Sequence, residues 1–139
     1  MGMYPKDRSK RGLFSLKEMG ARIIMMEEKA MKIDIEHQNR EQSIVYVTGD
    51  VTDLSAIKFK DTLYKLIDRG RVKLVIEFTK VPLIDSNGLG ALINILKRTK
   101  TKGGDIYLVG LSNSIKEVFI SSGLDRVFPI FPSAEDITI

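Results

Sequence analysis

Lys73-Leu74-Val75-Ile76-Glu77-Phe78, followed after a turn at Val81-Pro82 by Ile84-Asp85-Ser86-Asn87-Gly88-Leu89-Gly90-Ala91-Leu92, is the stretch that decides the architecture. The first run is short and rich in β-branched residues, and proline cuts it off, so it reads as a buried strand. In the second, Leu89, Leu92, Ile93 and Leu96 recur at the spacing of one helix face. Lys97, Arg98, Lys100 and Lys102 suit the negative end of that helix, and Gly103-Gly104 stops it.

The same alternation extends in both directions. Upstream, Ile33 and Ile35 alternate with polar residues from Met31 onward, as in a half-buried strand. The polar stretch Gln38 to Gln42 separates this strand from Ile44-Val45-Tyr46-Val47, read as its hairpin partner and closed by Gly49-Asp50. After Asp53 the period changes: Ala56, Phe59, Leu63, Leu66 and Ile67 form an amphipathic helix that Gly70 ends. Downstream, Ile106 to Val109 is a strand, and Ser114 with Glu117 predicts a capping box for a helix ending at Ser122-Gly123. Val127 to Phe131 reads as a short final strand, and Ser133 to Asp136 as a weak helix start. Parallel strands need crossovers and helices supply them, so the order predicts an α/β domain. Its sheet is mixed and mostly parallel, of about four to five strands, with helices packed on it.

At 139 residues the chain has room for one domain, and 29% charged residues is ordinary for a globular protein. The absence of cysteine excludes disulfides, thiol nucleophiles and thiolate metal sites, and fits a reducing, cytoplasmic setting. With His37 the single histidine, a three-histidine zinc site is excluded and a Ser-His-Asp triad would have to use that residue. His37, at a strand end among polar residues, is read as solvent-facing. No cofactor and no metal ligand set is read.

The net charge of +4 is uneven: residues 1–31 hold seven Lys/Arg against four Asp/Glu, and residues 32–139 fifteen against fourteen. The basic excess therefore belongs to a leader, residues 1–30, and the folded domain is assigned to 31–139. Lys17, Glu18 and Arg22 break any secretory core in the leader, and no stretch approaches the roughly 20 apolar residues of a membrane span. Leu13, Leu16, Met19 and Ile23 to Met26 leave three readings open: a disordered or partly vector-derived tail, an added helix docking on the domain or a second subunit, or a membrane-surface anchor. The lysine and arginine cluster from Lys97 to Lys102 has no interleaved aromatics, so direct nucleic-acid binding is not read from it.

Chemistry concentrates at Asp85-Ser86. Ser86 is expected as the N-cap of its helix, with Asp85 adding negative charge at the positive end of the dipole. The bland reading is that Asp-Ser-Asn only caps the helix while Gly88 and Gly90 permit close packing. The Gly88-Leu89-Gly90 spacing lacks the third glycine of a dinucleotide fingerprint, and no Gly-Lys-Ser/Thr follows. Modification of the hydroxyl remains available, because a phosphate at a helix N-terminus meets free N–H groups and a favourable dipole. About −1.5 to −2 charges beside Asp85 would change the surface a partner meets without unfolding the domain.

In these motifs the chain from about Lys32 to Ile137 resembles the anti-sigma factor antagonist family, the STAS domains of bacterial partner-switching systems. Ile84-Asp85-Ser86-Asn87-Gly88-Leu89-Gly90 is similar to the family's Asp-Ser-Ser/Thr-Gly-Leu-Gly signature, and Gly103-Gly104-Asp105-Ile106 and Ser122-Gly123-Leu124-Asp125-Arg126-Val127-Phe128 add further matches. The resemblance implies that Ser86 is the phosphoacceptor of a serine kinase that is also an anti-sigma factor. Asn87 stands where a second Ser/Thr is usual. It implies binding when unphosphorylated, release on phosphorylation, and resetting by a PP2C-type phosphatase. The protein is then ligand and substrate, not an enzyme; ATP and magnesium belong to the kinase, and manganese or magnesium to the phosphatase.

Where the family often has Gly-Glu-Leu-Asp, this chain has Gly49-Asp50-Val51-Thr52, then Asp53, which displaces the expected acid by one place. Asp50, Thr52 and Asp53 join Asp85, Ser86, Asn87, Gly88, Leu89 and Gly90 as the expected partner-binding set, and for Thr52 and Asp53 ordinary helix capping is the competing reading. The rival for the whole is a non-switching scaffold or oligomeric regulator, a homodimer included, in which Ser86 is only a cap. A small-molecule or lipid-binding enzyme lacks any clustered acid/base pair.

Overall fold

The computed structural model describes residues 30–137. The leader readings for residues 1–29 therefore lie outside the described residues. Five strands form one sheet in the order β1-β2-β3-β4-β5: β1 (Lys32–His37), β2 (Gln42–Thr48), β3 (Lys73–Lys80), β4 (Asp105–Val109) and β5 (Ile130–Phe131). β1 pairs antiparallel with β2, and every other neighbour is parallel. Helices α1 (Asp53–Asp68), α2 (Ser86–Thr101) and α3 (Asn113–Ser122) connect the parallel strands. This is the mixed, mostly parallel sheet that the alternation predicts.

The core forms where one face of the sheet meets the helices. Val45 and Val47 of β2, Leu74, Ile76 and Phe78 of β3, and Ile106 and Leu108 of β4 alternate along their strands. They pack with Phe59, Leu63 and Ile67 of α1, Leu92 and Ile95 of α2, and Phe119 of α3. The predicted stripe of α1 is the buried one, residue for residue. On α2 the buried set is Gly88, Ala91, Leu92, Ile95 and Thr99, while Leu89, Ile93 and Leu96 are partly buried against the core. Thr99 is satisfied internally, its hydroxyl donating to the Ile95 carbonyl at 2.7 Å. Val75, facing away from the helices, is also buried, so Leu74 to Ile76 reads as an unbroken apolar run rather than an alternating one.

β1 closes one margin of the sheet. His37 is exposed, as expected, and meets Ser43 directly across the pair, Nδ1 to Oγ at 2.8 Å. On the face away from the helices, Tyr46 donates its hydroxyl to Glu36 Oε1 at 3.0 Å. That bond to a carboxylate, with some burial and the nearby charges of Glu36 and Glu77, raises the phenol above its ordinary range. Two residues of the basic end of α2 are partnered: Arg98 stacks on Tyr64, 4.0 Å to the ring centroid, and reaches Asp68 at 3.4 Å, while Lys100 pairs with Asp105.

Two expectations need correction here. The cap of α3 is Ser112, whose Oγ accepts the Ile115 N–H at 3.3 Å, and not Ser114 with Glu117. The last strand is only Ile130–Phe131, because Leu124–Arg126 is a 3₁₀ turn and Phe128 turns into the core. Phe128 packs edge-on against Phe119, centroids 6.0 Å apart at 75°, which takes the chain off the sheet and leaves Val127 half exposed. Ser133 to Asp136, the weak helix start, is a 3₁₀ turn over Ala134–Asp136.

Candidate functional site

β2 and β3 lie side by side and run the same way, so the loops leaving their carboxyl ends are neighbours. In parallel sheets this is where ligands and partners are met. Short backbone contacts continue the pairing past the strands: Gly49 N–H to the Lys80 carbonyl at 2.9 Å, Val51 N–H to Leu83 at 3.0 Å, and a parallel bridge between Val51 and Ile84. α1 and α2 therefore start together, and they pack along their length.

Asp85, not Ser86, is the N-cap of α2. Its backbone is extended (φ −105°, ψ −171°), and Oδ1 accepts the Gly88 N–H at 2.9 Å. Ser86 is the first residue inside the helix. The correction has a chemical consequence: with the capping bond taken by Asp85, the Ser86 hydroxyl has no hydrogen-bond partner among the described residues and stands exposed. Asp85→Ala is expected to cost about 1 kcal/mol, the usual value of a lost cap, read as a lower urea midpoint with an unchanged slope.

Asn87 crosses between the two helix starts. Its Nδ2 donates to Asp53 Oδ1 at 3.1 Å and lies 3.5 Å from Asp85 Oδ2. Asp53 holds φ at +46°, left-handed backbone that is uncommon for any residue but glycine. Thr52 is the N-cap of α1, and its N–H donates to Ser55 Oγ at 2.8 Å. Asp50 is exposed at the same end.

Of the nine residues expected at the site, Asp50, Asp53, Ser86 and Asn87 are exposed, and Thr52, Asp85, Leu89 and Gly90 are partly covered. Gly88 is buried: a Cβ there would lie 2.3 Å from the Val51 carbonyl oxygen and 2.5 Å from Ile84 Cγ1, so this glycine lets α2 seat against the loop. Sequence reading missed the other wall. A groove between α1 and α2 is lined by Asp53, Leu54, Ile57 and Lys60 on one side and Ser86, Asn87, Gly90 and Asn94 on the other. Leu54 is 80% exposed and Ile57 54%, large aliphatic side chains facing water. Both lie off the buried stripe of α1, and that was the available signal. Among the described residues no cluster of three His, Asp or Glu converges as a metal site, and no helix is long and apolar enough to cross a membrane.

Comparison with known proteins agrees with this geometry. The family model of the STAS domain matches residues 32–137. An anti-sigma-B factor antagonist of Bacillus subtilis is 29% identical over 106 residues, covering 76% of this chain and 96% of the relative. The crystal structure of an anti-sigma factor antagonist from Mycobacterium paratuberculosis superposes with a TM-score of 0.69 at 21% identity, over 78% of this chain and 91% of that one. The Bacillus cell fate determinant SpoIIAA in its phosphorylated form gives a TM-score of 0.61 at 18% identity, over 76% and 95%. With the sheet order, the helix carrying Asp85-Ser86 and a family match over residues 32–137 in agreement, this chain belongs to the STAS domain family.

Proposed function

We propose that the protein is an anti-sigma factor antagonist acting as a phosphorylation-controlled binding module. Unphosphorylated, it engages a partner that is both anti-sigma factor and serine kinase. Phosphorylation of Ser86 dissolves the complex, and a PP2C-type phosphatase restores it. The observation that carries this reading is the Ser86 hydroxyl: exposed, unbonded among the described residues, at the first turn of α2 and the mouth of a groove with two bare aliphatic side chains. The relatives' names support the same class of activity.

The physics of such a switch is local. A kinase must reach the hydroxyl, which an exposed first-turn position allows. The phosphate then lies near free N–H groups of the helix start, so the fold tolerates it. To the partner, the added dianion beside Asp85 brings like-charge repulsion from the nucleotide phosphates the kinase holds and a large desolvation cost. Partner contacts are assigned to Asp50, Thr52, Asp53, Asp85, Ser86, Asn87, Leu89 and Gly90, with the buried Gly88 setting the seat of α2 from beneath.

The test is reconstitution. The purified protein, mixed with its cognate kinase and magnesium–ATP, is expected to form a complex on a sizing column and to gain one phosphate by intact mass, after which the complex falls apart. A protein that forms no complex and takes up no phosphate, and that carries no phosphate in native cells under any growth condition, would instead be the non-switching scaffold.

A further inference from the structure

Helix α3 leads into β5, the margin of the sheet opposite β1, and apolar surface is left there that the domain does not use. Ile115 and Phe119 are the buried residues of α3. The solvent side of such a helix is ordinarily polar, yet Ile120 is 56% exposed, and Val118 and Val127 also face water. Ile120 does not stand alone: it lines a cleft with Lys116, Asp125, Ile130, Phe131 and Pro132. None of these residues belongs to the groove beside Ser86, so the cleft is separate from the site already described.

The charges on the cleft say what fits it. Lys116 and Ile120 are one helical turn apart on the same face of α3. At Gly123 (φ +78°) the chain leaves the helix, and Asp125 follows in the 3₁₀ turn Leu124–Arg126. The order along the cleft is therefore cation, aliphatic, anion. Both charged side chains are exposed, and neither makes an ion pair or a side-chain hydrogen bond among the described residues. A surface ordered in this way is complementary to itself when turned end for end. About a two-fold axis at Ile120, Lys116 of each copy meets Asp125 of the other, and the two Ile120 side chains meet at the centre. We infer that the occupant of this cleft is a second copy of the chain, in an isologous dimer with α3 packed antiparallel on α3. Ile130 and Phe131 complete the apolar centre. Because β5 is two residues long and Pro132 follows it, the copies join through side chains and do not extend the sheet, and a two-fold contact closes at two chains. The rim charges set the orientation while the apolar centre supplies most of the affinity. A contact of this small size is weak, with a Kd on the order of 50 µM. The dimer goes beyond the proposed function and does not depend on it, since Ser86 and its groove lie on other elements and stay open in both copies.

The test is sedimentation equilibrium of the full, unphosphorylated chain at about 5 to 500 µM, where the mass is expected to rise from one chain toward two. Ile120→Lys places like charges on the axis and is expected to raise Kd about tenfold or more. Its Tm should stay near wild type, because the side chain lies outside the core. Lys116→Glu alone and Asp125→Lys alone should each raise Kd about fivefold, since each sets like charges face to face at both rims. An equimolar mixture of these two variants is expected to recover wild-type affinity, because glutamate at 116 then meets lysine at 125 and the native pair forms at the other rim. A mixture no tighter than its components would overturn the inference, as would either single variant at wild-type affinity. Wild type that remains a single chain at the highest concentration would also overturn it, and so would a dimer that Ile120→Lys leaves intact, which would place the contact elsewhere in the chain. No arm uses the kinase, so failure here leaves the proposed function standing.

Discussion

Ser86→Ala is expected to abolish phosphate uptake from the cognate kinase while leaving the kinase complex intact. The variant removes one oxygen that bonds to nothing within the described residues, so the helix start, held by Asp85, should be unchanged. Unfolding midpoints of variant and wild type should agree closely, which isolates the chemical effect from a structural one. Asn87 carries an amide where a second hydroxyl would otherwise offer an acceptor, so the loss should be complete. Phosphate on Ser86→Ala would refute the assignment. The complementary variant, Ser86→Asp, should lower the affinity for the kinase by about tenfold, and authentic phosphoserine by about a hundredfold. A dianion facing nucleotide phosphates costs several kcal/mol, and each 1.4 kcal/mol is tenfold in Kd. Wild-type affinity in the phosphorylated protein, measured by titration calorimetry, would end the switch model.

Gly88→Ala should be strongly damaging, at about 3 kcal/mol of lost stability. The methyl group would meet a carbonyl oxygen that has little freedom to retreat. Val51 accepts the Asp85 N–H, and its own N–H donates to Leu83, so the loop is held from both sides. About 1 kcal/mol of improved helix propensity offsets part of the clash. The remainder is a large share of the 5–15 kcal/mol that holds a typical domain together. The midpoint of thermal unfolding should fall by about 10–20 °C. If α2 instead slides outward, Gly88→Ala will keep its Tm but shift Ser86 and lose phosphorylation. An unchanged Tm with unchanged phosphorylation would show that the seat of α2 is loose.

The fold was legible because its signals are periodic. Ala56, Phe59, Leu63, Leu66 and Ile67 leave no doubt about a helix or about which face is inward, and Leu74-Val75-Ile76 can only be a covered strand. Caps were harder to place. Asp85 and Ser86, and again Ser112, Asn113 and Ser114, offer adjacent residues with equal capping ability, and the choice is made by where the incoming backbone turns from extended to helical. Val127 to Phe131 has strand composition, but the contact between Phe119 and Phe128 overrides it. Asp85 and Ser86 could be found from local sequence because they act together at one helix start. The α1 wall could not, since Leu54 and Gly90 become neighbours only after two parallel strands are paired.

The margins of the sheet carry a consequence for behaviour in concentrated solution. On one side β1 alternates Lys32, Asp34 and Glu36 along the face away from the helices, charged groups that a second chain extending the sheet would have to cover. On the other, β5 is two residues long and is followed at once by Pro132, which has no N–H to give. Neither border offers the long, flat, apolar template on which fibrils grow. The domain is thereby guarded against ordered self-association even though its interior strands, taken alone, are strongly aggregation-prone in composition.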